Sequence, residues 1–569
     1  MENLINREGN SPKHFAHETL SDVPQHDQTS LSRQRKLNLI VTIACALVVL
    51  GFGIASFAQT GDVRNLMIAG LGLIITLLAG LGALISNNNH RIVEGVIFPA
   101  VMLITATVYA LFFPISTVPD EGYHFMHAYT YANYVYPGRE LDNIRVVDLA
   151  FLEDESLSGG EIINGRLNPS TVDDVRWDAL VEKNVLVTDN HGETKYEDLQ
   201  WAINLSTDLP QVRLPAAAGI ILARAVGLGP IPLFYLGRLF TLIYSAILII
   251  AAVKITPIGK NPMMATALLP ITLQQLASYS YDGPIIGLSF LYFALIMRIC
   301  ARESYLSAAE GAGLFLVGAL LAPCKVVYSA LLLLALFIPK KRFTSRAHEI
   351  AFKASAIVLP FAVGLLMRQA QINSLTGVQY LERPTGLPQN RRWNANLNEY
   401  EYGTFYSLID FVDNPLQFVY IMGNSLISSM GLYVGSAVGS LLGNMEASIA
   451  LPHYMWIPLV LILALTIFGD SYDNLYPSMV QRGIFVLVSV LVVSATMAAM
   501  LFGYTFSGET IIKGVQGRYF LQIMPFLLLA FRPQRPRFPI ALDASLCIIL
   551  SSASFVVLNY IATVIIMTN

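Results

Sequence analysis

Two carboxylates and two imidazoles crowd one short stretch, TVPDEGYHFMHAYTYANYV at residues 117–135: Asp120, Glu121, His124 and His127. On a helix, Asp120, His124 and His127 fall at i, i+4 and i+7 and share a face. Three roles suit that set: a general base, an ion site, or the polar cap of a helix leaving a bilayer. Other ionisable groups sit at the ends of apolar runs far away in sequence. They are Arg238 in LFYLGRLF, Asp282 in SYSYDG, Lys325 in LAPCKVVY and Arg518 in KGVQGRYF. Tyr328 and Tyr519, within or beside the last two strings, are further site candidates. A charge at a membrane boundary is costly and usually serves a function. Any one of them alone could be a snorkelling charge or an ion-pair partner. Taken together they have chemical sense. A carboxylate can take a proton from a sugar hydroxyl, and basic groups at headgroup depth can hold a departing phosphate.

These residues must be positioned by membrane helices. Of 569 residues only 13% are charged and 54% are apolar, with a mean hydropathy of +0.55. A soluble domain carries about 25% charged residues. The composition therefore predicts an all-α polytopic membrane protein. Apolar runs at 38–57, 64–86, 92–113, 231–252, 262–278, 283–299, 307–322, 325–338, 350–368, 453–468, 483–503, 518–531 and 540–566 predict about 13 transmembrane helices. The runs at 210–228 and 416–445 are broken by Gly, Ser or Asn and read as interfacial or re-entrant helices.

Positive charge orients this arrangement. Arg33, Arg35 and Lys36 precede the first run, and Lys340, Lys341, Arg342 and Arg346 follow the eighth. Arg532, Arg535 and Arg537 follow the twelfth. With both broken runs kept outside, every such cluster falls in the cytoplasm, as does the N-terminus. Residues 1–36 read as a disordered cytoplasmic leader and 37–91 as two additional spans. Residues 92–531 form a core with two large external loops, 114–213 and 369–453, and 532–569 hold a basic turn and the last span. In the second loop, Arg383, Arg391 and Arg392 could hold an anionic acceptor.

The sequence also sets limits. Cys45, Cys300, Cys324 and Cys547 lie in or beside apolar runs without metal-ligand spacing, which predicts no zinc site and no disulfide framework. A net charge of −3 gives no footing for nucleic acid. There is no G-x-x-x-x-G-K-[ST] loop, G-x-S-x-G elbow or H-E-x-x-H pair.

VPDEGYHFMHAY resembles the P-D-E-x-x-H signature of a bacterial family of polytopic membrane proteins of unknown function, itself similar to the GT-C superfamily of membrane glycosyltransferases. The strings LPAAAGIILARAVGLG…YLGRLFTLIYS, ALLPITLQQLASYSYDG, APCKVVYSALLLLALFIP and VQGRYFLQIMPFLLL follow in the family's order across about residues 92–531. The resemblance implies a GT-C-like core and a polyprenyl-phosphate sugar donor, with transfer to an envelope polysaccharide or glycolipid on the outer face of the bacterial plasma membrane. By position it puts catalysis on Asp120 with Glu121 beside it, and donor-phosphate contacts on Arg238, Lys325 and Arg518. Glu121 or His124 could instead be the base, with Asp120 orienting the acceptor. His127 lies outside the signature. The resemblance specifies no cofactor and leaves a divalent metal open. Two other classes use the same features: a transporter or flippase of lipid-linked glycans, and a non-catalytic envelope assembly protein whose loops bind a partner.

Overall fold

A computed structural model describes residues 28–86, 89–113, 115, 118–135, 143–145, 148, 196–198, 209–368, 390–394, 399–443, 450–468, 477–533 and 541–568. The chain opens with helices α1 (Gln28–Thr60), α2 (Val63–Ser86) and α3 (His90–Phe112, with a π-helical turn at Val93–Ile97). Helix α4 (Glu121–Val135) follows. Strands β1 (Asn143–Arg145) and β2 (Tyr196–Asp198) pair antiparallel, Asn143 opposite Asp198. Next come α5 (Pro210–Ala225), α6 (Pro230–Ile255), α7 (Lys260–Ala267), α8 (Pro270–Leu276), α9 (Asp282–Ala301) and α10 (Ala308–Leu321). A 3-10 helix runs over Val326–Phe337, before α11 (Arg346–Met367). Strands β3 (Asn390–Asn394) and β4 (Glu399–Gly403) pair antiparallel, Asn390 opposite Gly403. The remainder comprises α12 (Leu408–Asp413), α13 (Pro415–Ser428), α14 (Met430–Val438), α15 (His453–Leu465) and α16 (Met479–Tyr504). A short 3-10 turn (Gly517–Phe520), α17 (Met524–Ala530) and α18 (Asp543–Thr568) close the order.

Among the described residues, eight helices are long and apolar enough to cross a membrane: α1, α2, α3, α6, α9, α11, α16 and α18. The count is nine if the bent pair α13 and α14 is one span, fewer than the roughly 13 expected. The run 262–278 is two short helices, because Pro270 cannot continue the ladder of α7 and instead opens α8. The run 518–531 likewise breaks into a 3-10 turn and α17, with Pro525 at the new start. The run 325–338 winds as a 3-10 helix of 12 residues. At roughly 2.0 Å per residue it reaches farther than an α-helix of that length. Runs 307–322 and 453–468 form α10 and α15, of 14 and 13 residues. Hydropathy cannot see any of these breaks, since each run is apolar throughout.

Two further expectations shift. Residues from Gln28 onward already belong to α1, so the stretch expected to be disordered to residue 36 is helical at its end; residues 1–27 lie outside the described residues. Most of the first loop and residues 369–389 also lie outside them. The broken run 416–445 contains α13 and α14, which bend by 58° against each other, as a broken span or a re-entrant loop does.

The main core joins α3, α6, α8, α9, the long 3-10 helix, α16 and α18. A smaller aromatic core holds α4 on α5 and α6. Phe125 stacks on Phe234 with centroids 5.1 Å apart, and Tyr279 packs on Phe234 at 4.7 Å. Gly237 is required there, because a Cβ at that position would lie 1.8 Å from the Tyr279 hydroxyl. Farther along α4, the Tyr129 hydroxyl donates to Asp148 at 2.6 Å, and Asp148 is held by Arg145 through two bonds of 2.6 and 2.8 Å. Strand β1 thereby anchors the middle of α4.

Candidate functional site

Two residues of the acidic stretch go in opposite directions. Asp120 has φ +60°, the only positive φ at a non-glycine residue among the described residues. Its carbonyl accepts from the His124 N–H at 2.9 Å, so it caps the start of α4 from a left-handed conformation that Asp tolerates better than most side chains. Its side chain remains exposed. The backbone turn that produces this directs Glu121 inward, where it is 0% exposed.

Glu121 meets Arg238, also 0% exposed, in a bidentate pair: Nε donates to Oε1 at 2.8 Å and Nη2 to Oε2 at 2.6 Å. Arg238 Nη1 donates to the carbonyls of Ala110 and Phe113, at 2.6 and 2.7 Å, and the Tyr279 N–H reaches Glu121 Oε1 at 3.2 Å. These bonds join the end of α3, the start of α4, α6 and the turn before α9. Arg238 commits both its faces to protein, so the expected donor-phosphate contact does not fit its placement. Glu121 likewise has no open face from which to take a substrate proton.

The other distant charges do converge. Lys325 Nζ donates to Asp282 Oδ1 at 2.7 Å, and Arg518 Nε lies 3.7 Å from Asp282 Oδ2. Lys325 Nζ sits 4.5 Å from the Tyr281 ring centre and 4.8 Å from that of Tyr519, a cation held between aromatic faces. The Tyr328 hydroxyl donates to the Tyr519 carbonyl at 3.1 Å and so fixes the backbone that carries Arg518. Gly517 is needed one residue earlier: a Cβ there would lie 2.1 Å from the Tyr433 carbonyl, and its N–H donates to Ser436 Oγ at 2.8 Å. The starts of α9, the long 3-10 helix and the 517–520 turn, together with α14, thus bring Asp282, Lys325, Tyr328, Arg518 and Tyr519 to one place.

His124 reaches the same cluster from α4, with its ring 4.5 Å from that of Tyr281, and Arg213 of α5 lies 5.1 Å from the same ring. Tyr281 is the hub of the cluster, and neither it nor Arg213 stood out in the sequence. The available signals were adjacency to Asp282 and, for Arg213, an Arg near the start of the broken run 210–228. Asp120 is within electrostatic reach of Tyr281 and Arg518. Between the turn before α4, helices α8 and α14 and the segment up to Arg518 lies a cavity of about 230 Å³, lined by residues including Pro119, Ile271, Gln275, Val515 and Arg518.

Burial, then the charges of Arg213, His127, Lys325 and Arg518, hold the His124 imidazole well below its ordinary pKa. It is neutral at physiological pH, and its Nδ1 has no protein partner. The unfolded chain binds this proton more readily than the native one. Stability should therefore fall as pH drops below the ordinary imidazole value of about 6.5. Thermal unfolding at pH 7.5 and pH 5 is expected to show this drop, and His124→Gln should reduce it.

His127 packs against Tyr123, centroids 4.1 Å apart. Among the described residues no three His, Cys, Asp or Glu side chains gather as a metal site. Arg392 of β3 is bound to Glu509 through bonds of 2.7 and 2.9 Å and to Glu401 at 2.8 Å, over the Phe506 ring. It clamps the hairpin to the segment after α16, which corrects its expected role in holding an acceptor. Arg383 lies outside the described residues.

The model of one protein family, described as Predicted membrane protein (DUF2142), matches residues 101–527. No curated protein and no solved structure matches.

Proposed function

The chain belongs to the DUF2142 family of predicted membrane proteins, and from that premise we propose that it is a glycosyltransferase of GT-C type. It moves a sugar from a polyprenyl-phosphate donor to an envelope polysaccharide or glycolipid, at the outer face of a bacterial plasma membrane with its N-terminus in the cytoplasm. The observation that carries this reading is the convergence of Lys325 and Arg518 on Asp282, at 2.7 and 3.7 Å, beside the turn that exposes Asp120.

Asp120 takes the proton of an acceptor hydroxyl. The hydroxyl oxygen bonds to the anomeric carbon as the bond from that carbon to the phosphate oxygen breaks. A single displacement inverts the anomeric centre. The donor is a phosphodiester with one negative charge, and the leaving polyprenyl phosphate carries nearly two. Lys325 and Arg518 thus face a charge that grows along the reaction, so they favour the transition state over the bound donor. Asp282 holds both cations in place and offsets their repulsion. Arg213, 5.1 Å from the Tyr281 ring centre, adds positive charge.

Purified protein in nanodiscs, given polyprenyl phosphate bearing radiolabelled sugar and envelope acceptor, tests this. Lys325→Ala and Arg518→Ala are each expected to slow transfer by about 10²-fold or more. Transfer at the wild-type rate in both would sink the reading. The bent pair α13–α14 favours one alternative, a transporter of lipid-linked glycans, since transporters build sites from broken helices. Passage of lipid-linked glycan across vesicles without sugar transfer would select it.

A further inference from the structure

We infer that the cavity beside Arg518 is a subsite for a single hexose ring and that Gln275 is its specificity-determining residue. The inference rests on the sugar-transfer reading and adds to it the part of the substrate that the charged cluster cannot recognise. Gln275 belongs to α8, every residue of which is buried, and is itself 0% exposed. Neither its Nε2 nor its Oε1 has a partner within the protein, although buried amides are ordinarily paired. Arg518, on another wall, leaves Nε and Nη1 without hydrogen bonds. Ser436 also lines the cavity, but its hydroxyl already donates to the Leu432 carbonyl and accepts from Gly517. Gln516, half-buried, is a second amide on the wall, and the other side chains there, Pro119, Ile271, Leu432, Leu441 and Val515, are apolar.

The wall therefore offers a buried unpaired amide at Gln275, a second, half-buried amide at Gln516, a guanidinium N–H of Arg518, and apolar surface. A ring whose hydroxyls alternate as donors and acceptors and whose C–H faces are apolar matches that set. Size narrows it. A cavity of about 150 Å³ holds a benzene ring. At about 230 Å³ this one admits a pyranose with its hydroxyls. Arg518 belongs to both the cavity and the phosphate cluster, so a ring here adjoins the phosphate. That assigns the subsite to the sugar of the donor rather than to the end of the acceptor.

The test compares full-length wild type with Gln275→Leu, a change close in volume that removes the unpaired amide. The probes are polyprenyl phosphate alone and polyprenyl phosphate bearing glucose, galactose or mannose, with binding to protein in nanodiscs measured for each. Wild type should bind one of the three glycosylated lipids about tenfold more tightly than the other two. Gln275→Leu should lose that preference, still bind bare polyprenyl phosphate, and unfold at the same temperature or higher. A retained preference in Gln275→Leu, or none in wild type while bare polyprenyl phosphate binds, overturns the subsite and leaves the phosphate cluster standing. An unchanged donor preference with a tenfold rise in acceptor KM overturns the donor assignment. Failure of every lipid to bind wild type overturns the sugar-transfer reading and this inference with it.

Discussion

Asp120→Asn is expected to reduce sugar transfer by about 10² to 10⁴-fold, the contribution of a positioned general base, while the protein folds as before. The backbone makes this a clean substitution. Asp120 sits at φ +60°, where asparagine is as well tolerated as aspartate. The amide keeps the size of the side chain and loses its charge and basicity. Asp120→Gly should also be inactive and at least as stable as wild type, because glycine enters that conformation without strain. Asp120→Ala should be inactive and less stable by about 1–2 kcal/mol. Loss of transfer in all three, with stabilities ordered Gly, Asn, Ala, would separate the chemical role of the carboxylate from the conformational role of the residue. Transfer by Asp120→Asn close to the wild-type rate would end its assignment as the base and turn attention to His124.

The second large effect is on stability. Glu121→Gln or Arg238→Met should destabilise the protein by about 3–5 kcal/mol, since each removes the opposite charge that compensates its partner in the interior. Together, Glu121→Leu and Arg238→Met should recover much of that loss, because an apolar pair of similar volume needs no compensating charge. Thermal unfolding of the single and double variants in detergent provides the cycle. A fully stable Arg238→Met would contradict the buried-pair description and reopen its place as a phosphate ligand.

That pair also shows where sequence reasoning stops. Glu121 stands next to Asp120, and both fit the same acidic signature. One positive φ between them sends one side chain to solvent and the other into the bundle. No pattern of residue types encodes that divergence, and a charge paired with a distant partner looks in one dimension like a charge awaiting a substrate. Placing Asp282, Lys325 and Arg518 at the starts of helical segments was legible, because charges punctuate apolar runs, whereas Arg238 lies about two turns inside α6. Which of them share a cluster was not. Asp282, Lys325 and Arg518 meet because α9, the long 3-10 helix and the turn after α16 begin at the same place, and Gly517 lets that turn approach α14. Gln275 was hidden for a different reason. It lies in an apolar run that reads as one continuous span, and only the break at Pro270 turns it toward a cavity.

Helices α1, α2 and α18 bear on how the protein is made. Gln34 holds the backbone of Ala541 through both of its amide atoms, Asn38 accepts from Ser545, Thr76 bonds Ser552, and Asn559 donates to the Asn65 carbonyl. Gln34 and Ala541 stand 507 positions apart. At about 5–20 residues per second, the ribosome needs roughly half a minute to two minutes to bridge that distance. For that interval α1 and α2 lack the bonds that α18 and the residues before it supply to Gln34, Asn38 and Thr76. Arrival of α18 is then the event that joins α1 and α2 to it, and chains cut short before it leave the Gln34 and Asn38 amides exposed to whatever surveys membranes for unfinished proteins.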